Sequence, residues 1–235
     1  MNALLFDAFC LIKDVNAVDC GDTARTLACD DYAVYESLRG DKDNIYAPLC
    51  ARAIENGDER LYIPSLDLPD NKIDELIDYT LSNPKVRLLV KCAQDLTETG
   101  IIDGRFGKSP LMLLHEFGLS ERSTVVSGVY LDKDDLSLMA QEGVPLVLLP
   151  SFDAGRGFGV APLCAALERG VKVKIGTYDG SYNPVRSVVF EAKFLRLAVS
   201  AVMNRKDAVS LKNLAEICAY DSGQVDRITE MIENI

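Results

Sequence analysis

The 235-residue sequence has no tryptophan and a single histidine, His115. One histidine cannot build the multi-imidazole shell of a typical zinc hydrolase, so composition alone disfavours that class. No apolar run approaches the ~18 residues of a membrane span, and no basic-then-apolar leader opens the chain, so no membrane partner is expected. The seven cysteines (Cys10, Cys20, Cys29, Cys50, Cys92, Cys164 and Cys218) are odd in number and form no Cys-x-x-Cys pair. That excludes a disulfide framework and a zinc knuckle, and they read as buried thiols of a reducing cytoplasm. Basic residues are also short, 25 Lys+Arg against 36 Asp+Glu, for a net charge of −11. Such a balance argues against nucleic acid as a partner. There is no low-complexity segment and no clear internal repeat.

What is present is an ordinary globular composition, 48% hydrophobic and 26% charged, with no break that asks for more than one domain over residues 1–235. Ala3–Ile12, Leu61–Ile63, Val86–Cys92, Thr124–Ser127, Val144–Leu149 and Val171–Ile175 are short apolar runs of strand length. Helices are expected at Asp31–Arg39, Ala47–Asn56, from Asp70 to Asn83, and at Pro110–Phe117, Asp134–Gln141, Val160–Arg169, Val185–Met203, Ala208–Tyr220 and Gln224–Asn234. Lys13–Asp30 and Asp95–Lys108 read as loops. Strands alternating with helices at this spacing imply an α/β fold with a parallel sheet. The strand–helix–strand unit from Val144 to Ile175 directs attention to the strand ends, Pro150–Gly159 and Thr177–Asn183, where ligands collect in such folds.

The same stretch carries a family resemblance. Pro150-Ser151-Phe152-Asp153, a glycine loop, Val160-Ala161-Pro162, a helix and a strand ending Gly176-Thr177-Tyr178-Asp179-Gly180 resemble the amidohydrolase superfamily. More narrowly, they are similar to its branch of cytosine, guanine and adenosine-type deaminases and triazine chlorohydrolases. The resemblance implies a (β/α) TIM-type barrel without the small β domain that flanks most relatives; with six or seven strands read from the sequence, it is expected to be shortened or partly open. It also implies where metal ligands should stand. Phe6-Asp7-Ala8-Phe9-Cys10-Leu11 matches the Asp-x-His-x-His frame, which puts Phe9 and Leu11 at two ligand positions. Val90-Lys91-Cys92-Ala93-Gln94 puts Lys91 at a ligand histidine and Gln94 at a carboxylate. Val126-Ser127-Gly128 puts Ser127 at a further histidine, and Leu149 falls near another. Asp179 is the candidate for the final aspartate, with Tyr178 inserted ahead of it. At most one ligand survives this transfer, so no metal and no cofactor are expected.

Two other features invite chemistry. Gly155-Arg156-Gly157-Phe158-Gly159, placed before a helix, could cradle an anion, or serve only as a turn. Lys91, near the end of a buried strand, could be a desolvated nucleophile, or could pair with Asp95, Asp153 or Asp179 and fill the charge hole left by a metal. His115 reads as a helix histidine away from every strand end. The resulting expectation is a metal-free amidohydrolase-like protein that binds a small polar molecule or acts as an accessory subunit, as a homo-oligomer or beside a partner chain. Its ligand-binding candidates are Lys91, Gln94, Ser127, Asp153, Arg156 and Asp179, with Lys91 and Asp179 the catalytic candidates. The competing readings are metal-independent chemistry by Lys91 with Asp179 or Asp153, and C–N hydrolysis retained through a partner's ligands.

Overall fold

The computed structural model describes residues 4–12, 23–29, 51–53 and 59–233. Eight strands form one sheet in sequence order: β1 (Leu5–Ile12), β2 (Thr23–Cys29), β3 (Ala51–Ala53), β4 (Glu59–Ile63), β5 (Arg87–Cys92), β6 (Ser123–Ser127), β7 (Leu146–Leu148) and β8 (Val173–Ile175). All neighbours run parallel except around β3, which is antiparallel to both β2 and β4. The order of elements therefore matches the expected α/β fold with a parallel sheet, with more strands than the six or seven expected. Two readings are corrected. Thr23–Cys29, expected within a loop, is a strand, and Ala51–Ala53, expected within the helix Ala47–Asn56, is a strand too. The expected helix at Asp31–Arg39 lies outside the described residues.

The helices are α1 (Asp70–Ser82), α2 (Leu96–Phe106), α3 (Pro110–Glu116), α4 (Lys133–Glu142), α5 (Pro150–Gly155), α6 (Leu163–Glu168), α7 (Val188–Val202), α8 (Leu211–Cys218) and α9 (Val225–Glu233). Their ends follow local chemistry. Asp132 opens α4 with a capping box shared with Asp135, and Gly143 closes it in the left-handed conformation. Asp95 caps α2 by accepting from the amides of Thr97 and Glu98. That helix occupies the segment expected to be a loop, because Gly100, Gly104 and two threonines give it poor intrinsic propensity. It forms because Ile102 is fully buried and its cap is satisfied.

Strands β5 to β8 bury nearly every side chain, as strands covered on both faces must. The two outermost strands are brought together at their C-terminal ends. The amide of Tyr178, three residues past β8, donates to Phe9 O (2.9 Å), and the Leu11 amide donates to Tyr178 O (3.0 Å). One parallel bridge, Cys10 to Tyr178, joins the edges in place of a continuous ladder. The buried Asp7 carboxylate reinforces it, accepting from Thr177 N (3.0 Å) and Thr177 Oγ1 (2.6 Å). Backbones approach so closely here that a Cβ on Gly176 would lie 2.7 Å from Phe9 O. Gly176→Ala should therefore lower the urea midpoint by an amount equivalent to about 1–3 kcal/mol, the cost of overpacking. An unchanged midpoint would show that the seam is looser than described.

Candidate functional site

The site is built at the C-terminal ends of β5, β6 and β7. Lys91 and Cys92 pair in register with Val126 and Ser127, so Lys91, Gln94 and Ser127 emerge at neighbouring strand ends. Asp153 arrives from the first turn of α5, the helix that follows β7 directly. Gln94 Nε2 donates to Asp153 Oδ1 (2.8 Å) and Ser127 Oγ to Asp153 Oδ2 (2.9 Å). All three residues are buried. Burial pushes the Asp153 carboxyl up from its ordinary range to about 7, opposed by its two hydrogen bonds and by Lys91.

Three non-glycine residues in the left-handed region follow β5, β6 and β8: Ala93 (φ 50°), Ser127 (φ 74°) and Tyr178 (φ 50°). Each such residue costs about 1–3 kcal/mol and persists only where its surroundings hold it. For Ser127 the holding interaction is the hydrogen bond to Asp153; for Tyr178 it is the seam with β1.

Lys91 is half-buried. Its Nζ lies 5.9 Å from the Phe152 ring centroid and 5.6 Å from that of Tyr178. Among the described residues no hydrogen bond or ion pair reaches it. Burial holds its pKa below the usual lysine range, opposed by Glu98, Asp153 and Asp95, while Arg156 lowers it further. Beside it opens a cavity of about 270 Å³ lined in part by Ser65, Asp67, Lys91, Gln94, Asp95 and Glu98. Glu98 accepts from Ser65 Oγ (2.5 Å) and Leu66 N (3.0 Å), and burial raises its pKa.

Two expected site residues stand elsewhere. Asp179 is half-buried, and its Oδ1 accepts from the Ser181 amide (2.8 Å) in a local turn. The charges bearing on Lys91 are Glu98, Asp153, Asp95 and Arg156, so the expected pairing of Lys91 with Asp179 is replaced by these. The reason is the inserted Tyr178, which takes the inward position itself. It stacks on Phe9 at 5.6 Å, meets Phe152 edge-on at 4.4 Å, and shares a hydroxyl contact of 3.2 Å with Tyr62. Arg156 is exposed, its guanidinium 5.5 Å from the Phe152 ring centroid. The Gly155–Gly159 loop follows the C-terminus of α5 and is not set against a helix N-terminus; the next helix starts at Leu163 with Pro162 as its cap. Of the two readings of this loop, the turn fits the structure, and the anion cradle at a helix N-terminus is not formed.

Tyr178, Tyr62, Phe152, Glu98 and Arg186 are the neighbours that sequence reasoning missed. The position of Tyr178 before Asp179 was a signal; Glu98 gave none, because its helix was read as loop. Arg186, half-buried, donates to Cys10 Sγ (3.2 Å), Leu11 O (3.0 Å), Asp179 O (2.9 Å) and Tyr178 O. A second buried carboxylate, Glu191 of α7, receives Ser151 N (2.9 Å), Ser151 Oγ (2.6 Å) and Asn183 Nδ2 (2.9 Å), and so anchors α5 from behind.

Known proteins share this arrangement of elements. The chain is 36% identical over 119 residues to a 5-methylthioadenosine/S-adenosylhomocysteine deaminase of Thermococcus onnurineus, covering 50% of this chain and 28% of that protein. The protein of the same description from Thermococcus kodakarensis is 34% identical over 111 residues, 47% of this chain and 26% of its own. Among solved structures, the atrazine chlorohydrolase TrzN of Arthrobacter aurescens TC1 complexed with zinc superposes with a TM-score of 0.60 at 19% identity, over 73% of this chain and 37% of that one. An adenosine deaminase from Xanthomonas campestris with bound zinc gives 0.55 at 18%, over 74% and 48%. At under 20% identity the solved structures show a shared fold, and about half of the chain is similar in sequence to the named deaminases. No family model matches the chain. The alignments span roughly a quarter of the length of these curated relatives.

Both solved structures above hold zinc, so the donor set of this chain must be tested against that ion. Zinc takes imidazole, thiolate and carboxylate ligands, four in a structural site and three plus water in a catalytic one. The positions that the resemblance assigns to ligands carry a phenyl ring, aliphatic chains, an amine, an amide and a hydroxyl, at Phe9, Leu11, Leu149, Lys91, Gln94 and Ser127, and one carboxylate, Asp179, held in a local turn by the Ser181 amide. Asp153 is a carboxylate, but both of its oxygens already accept hydrogen bonds. His115 lies on α3 with Nδ1 2.6 Å from Glu142 Oε1. Among the described residues no group of three His, Cys, Asp or Glu side chains is placed to hold a metal. These residues do not fit a zinc ion. No described helix is long and apolar enough to cross a membrane.

Proposed function

We propose that this amidohydrolase-fold chain binds a small polar molecule, without a metal, in the cavity beside Lys91. The observation that carries the reading is the Gln94–Asp153–Ser127 hydrogen-bond network next to that amine, set at strand ends where the fold places ligands. An amine, an amide and carboxyls of raised pKa supply donors and acceptors to such a molecule, and the rings of Phe152 and Tyr178 lie within 6 Å of the amine.

A second reading, that deamination of a C–N bond is retained, is favoured by the identity to named deaminases over half of the chain. Its metal ligands would then come from residues outside those described or from another chain. One experiment separates the two. Purified protein is assayed for zinc, iron and nickel, then heated with small polar compounds, and finally supplied with zinc and 5-methylthioadenosine while ammonia is followed. The binding reading expects far less than one metal per chain, a rise in unfolding temperature with some compound, and no ammonia. A compound at about 100 times its Kd should add about 2.7 kcal/mol. Stoichiometric zinc with ammonia release would replace this reading with the second.

A further inference from the structure

We propose that Lys91 is a nucleophile that forms an imine with a small, uncharged carbonyl compound entering the cavity beside it. The inference rests on the reading of that cavity as a small-molecule site. Three geometric facts carry it. The amine lies within 6 Å of two aromatic ring centroids and meets no hydrogen-bond partner among the described residues, so nothing occupies its lone pair once the proton is lost. It borders a cavity of about 270 Å³, room for a molecule of a few heavy atoms. The same rings that favour an ammonium favour the cationic iminium product.

The choice of an uncharged compound follows from the walls. Asp67 and Asp95 line the cavity beside one amine, so an anionic oxo acid is repelled. Burial supports the chemistry by increasing the neutral fraction of the amine near pH 7. In the reaction the Nζ lone pair attacks the carbonyl carbon and the C=O pair moves to oxygen. One proton passes from nitrogen to that oxygen, giving a carbinolamine. A second proton comes from the Glu98 carboxyl; the oxygen leaves as water, and the nitrogen lone pair forms the C=N bond of the iminium. Glu98 is left as its carboxylate and regains a proton from solvent, so no oxidant or reductant enters.

The test incubates native protein at about pH 7 with glycolaldehyde and sodium cyanoborohydride, which reduces any iminium to a stable secondary amine. Adducts are then mapped by peptide mass. Lys91 should label faster than the exposed Lys172 and Lys212, because its lowered pKa leaves more of the amine neutral. Glyoxylate, a charged compound of similar size, should label Lys91 far more slowly than glycolaldehyde. The folded Lys91→Arg protein, which keeps a cation between the rings, should show only surface labelling. Lys91 reacting no faster than Lys212 overturns the proposal. If that occurs while non-carbonyl compounds still raise the unfolding temperature, the cavity remains a binding site and only the nucleophile is lost. Rapid labelling of Lys91 with no compound shifting unfolding supports the nucleophile and removes the binding reading instead.

Discussion

Asp153→Asn should be more stable than the native chain at about pH 8 and nearly equal to it at about pH 4. The native carboxyl titrates near 7, against an ordinary value of 3.8. Below about pH 4 it is protonated in both the folded and the unfolded chain and contributes nothing. As pH rises from about 4 to about 7, the unfolded chain releases this proton first, so the native state binds more protons and stability falls. Above about 7 the penalty is complete. At about 1.4 kcal/mol per pH unit it is on the order of 4 kcal/mol. An asparagine keeps both hydrogen bonds, since its oxygen can accept from Gln94 and its amide can donate to Ser127 Oγ, which accepts as readily as it donates. It loses the attraction to Lys91, so the net gain at high pH should be about 1–3 kcal/mol. Asp7, Glu98 and Glu191 are also raised by burial, so the variant's own profile still falls with pH, but less steeply. Unfolding midpoints measured across this range decide it; parallel profiles would show that Asp153 is ionised at no unusual cost. Asp153→Ala should act in the opposite sense, because it leaves two buried donors without an acceptor, at about 1–3 kcal/mol for each.

Arg186→Ala should open the seam between β1 and the end of β8. One guanidinium there donates to four acceptors contributed by both sides, Cys10 and Leu11 on one and Tyr178 and Asp179 on the other. A hydrogen bond from a charged donor contributes about 1.5–3 kcal/mol, and bonds that share a donor are not additive, so a total loss of about 3 kcal/mol is expected. The amides of Leu11 and Tyr178, which carry the single bridge, should exchange with solvent much faster than those of β5 and β6. Arg186→Lys should recover only part, because an ammonium on a flexible stem cannot span the same acceptors. If exchange at Leu11 and Tyr178 is unchanged, the bridge alone closes the sheet and Arg186 is incidental.

Much of this architecture is legible in the chain because its strands are buried on both faces. Such strands read as continuous apolar runs, as Val86–Cys92 and Thr124–Ser127 do. Gln94, Ser127 and Asp153, chosen from the order of the motif pieces, share one hydrogen-bond network in the structure. What escapes the sequence is whatever depends on contacts made elsewhere. Thr23–Cys29 carries arginine and threonine and lacks an apolar run, and it is a strand through its pairing with β1 and β3. Leu96–Phe106 has a weak helical pattern and is held by its Asp95 cap and by Ile102. The inward turn of Tyr178 depends on β1, whose Phe9 and Leu11 bond to its backbone from the far end of the sequence. No local rule brings those residues together.

The Tyr62–Tyr178 contact has an optical consequence. With no tryptophan in the chain, emission from the folded protein originates in its nine tyrosines. Two of those fluorophores meet hydroxyl to hydroxyl at 3.2 Å, and the ring of one lies 5.6 Å from the Lys91 ammonium. A charge gained, lost or displaced at that amine acts directly on the electronic states of the neighbouring phenol. The protein thus carries an intrinsic spectroscopic gauge of its own cavity, undimmed by the energy transfer to indole that hides tyrosine in most proteins.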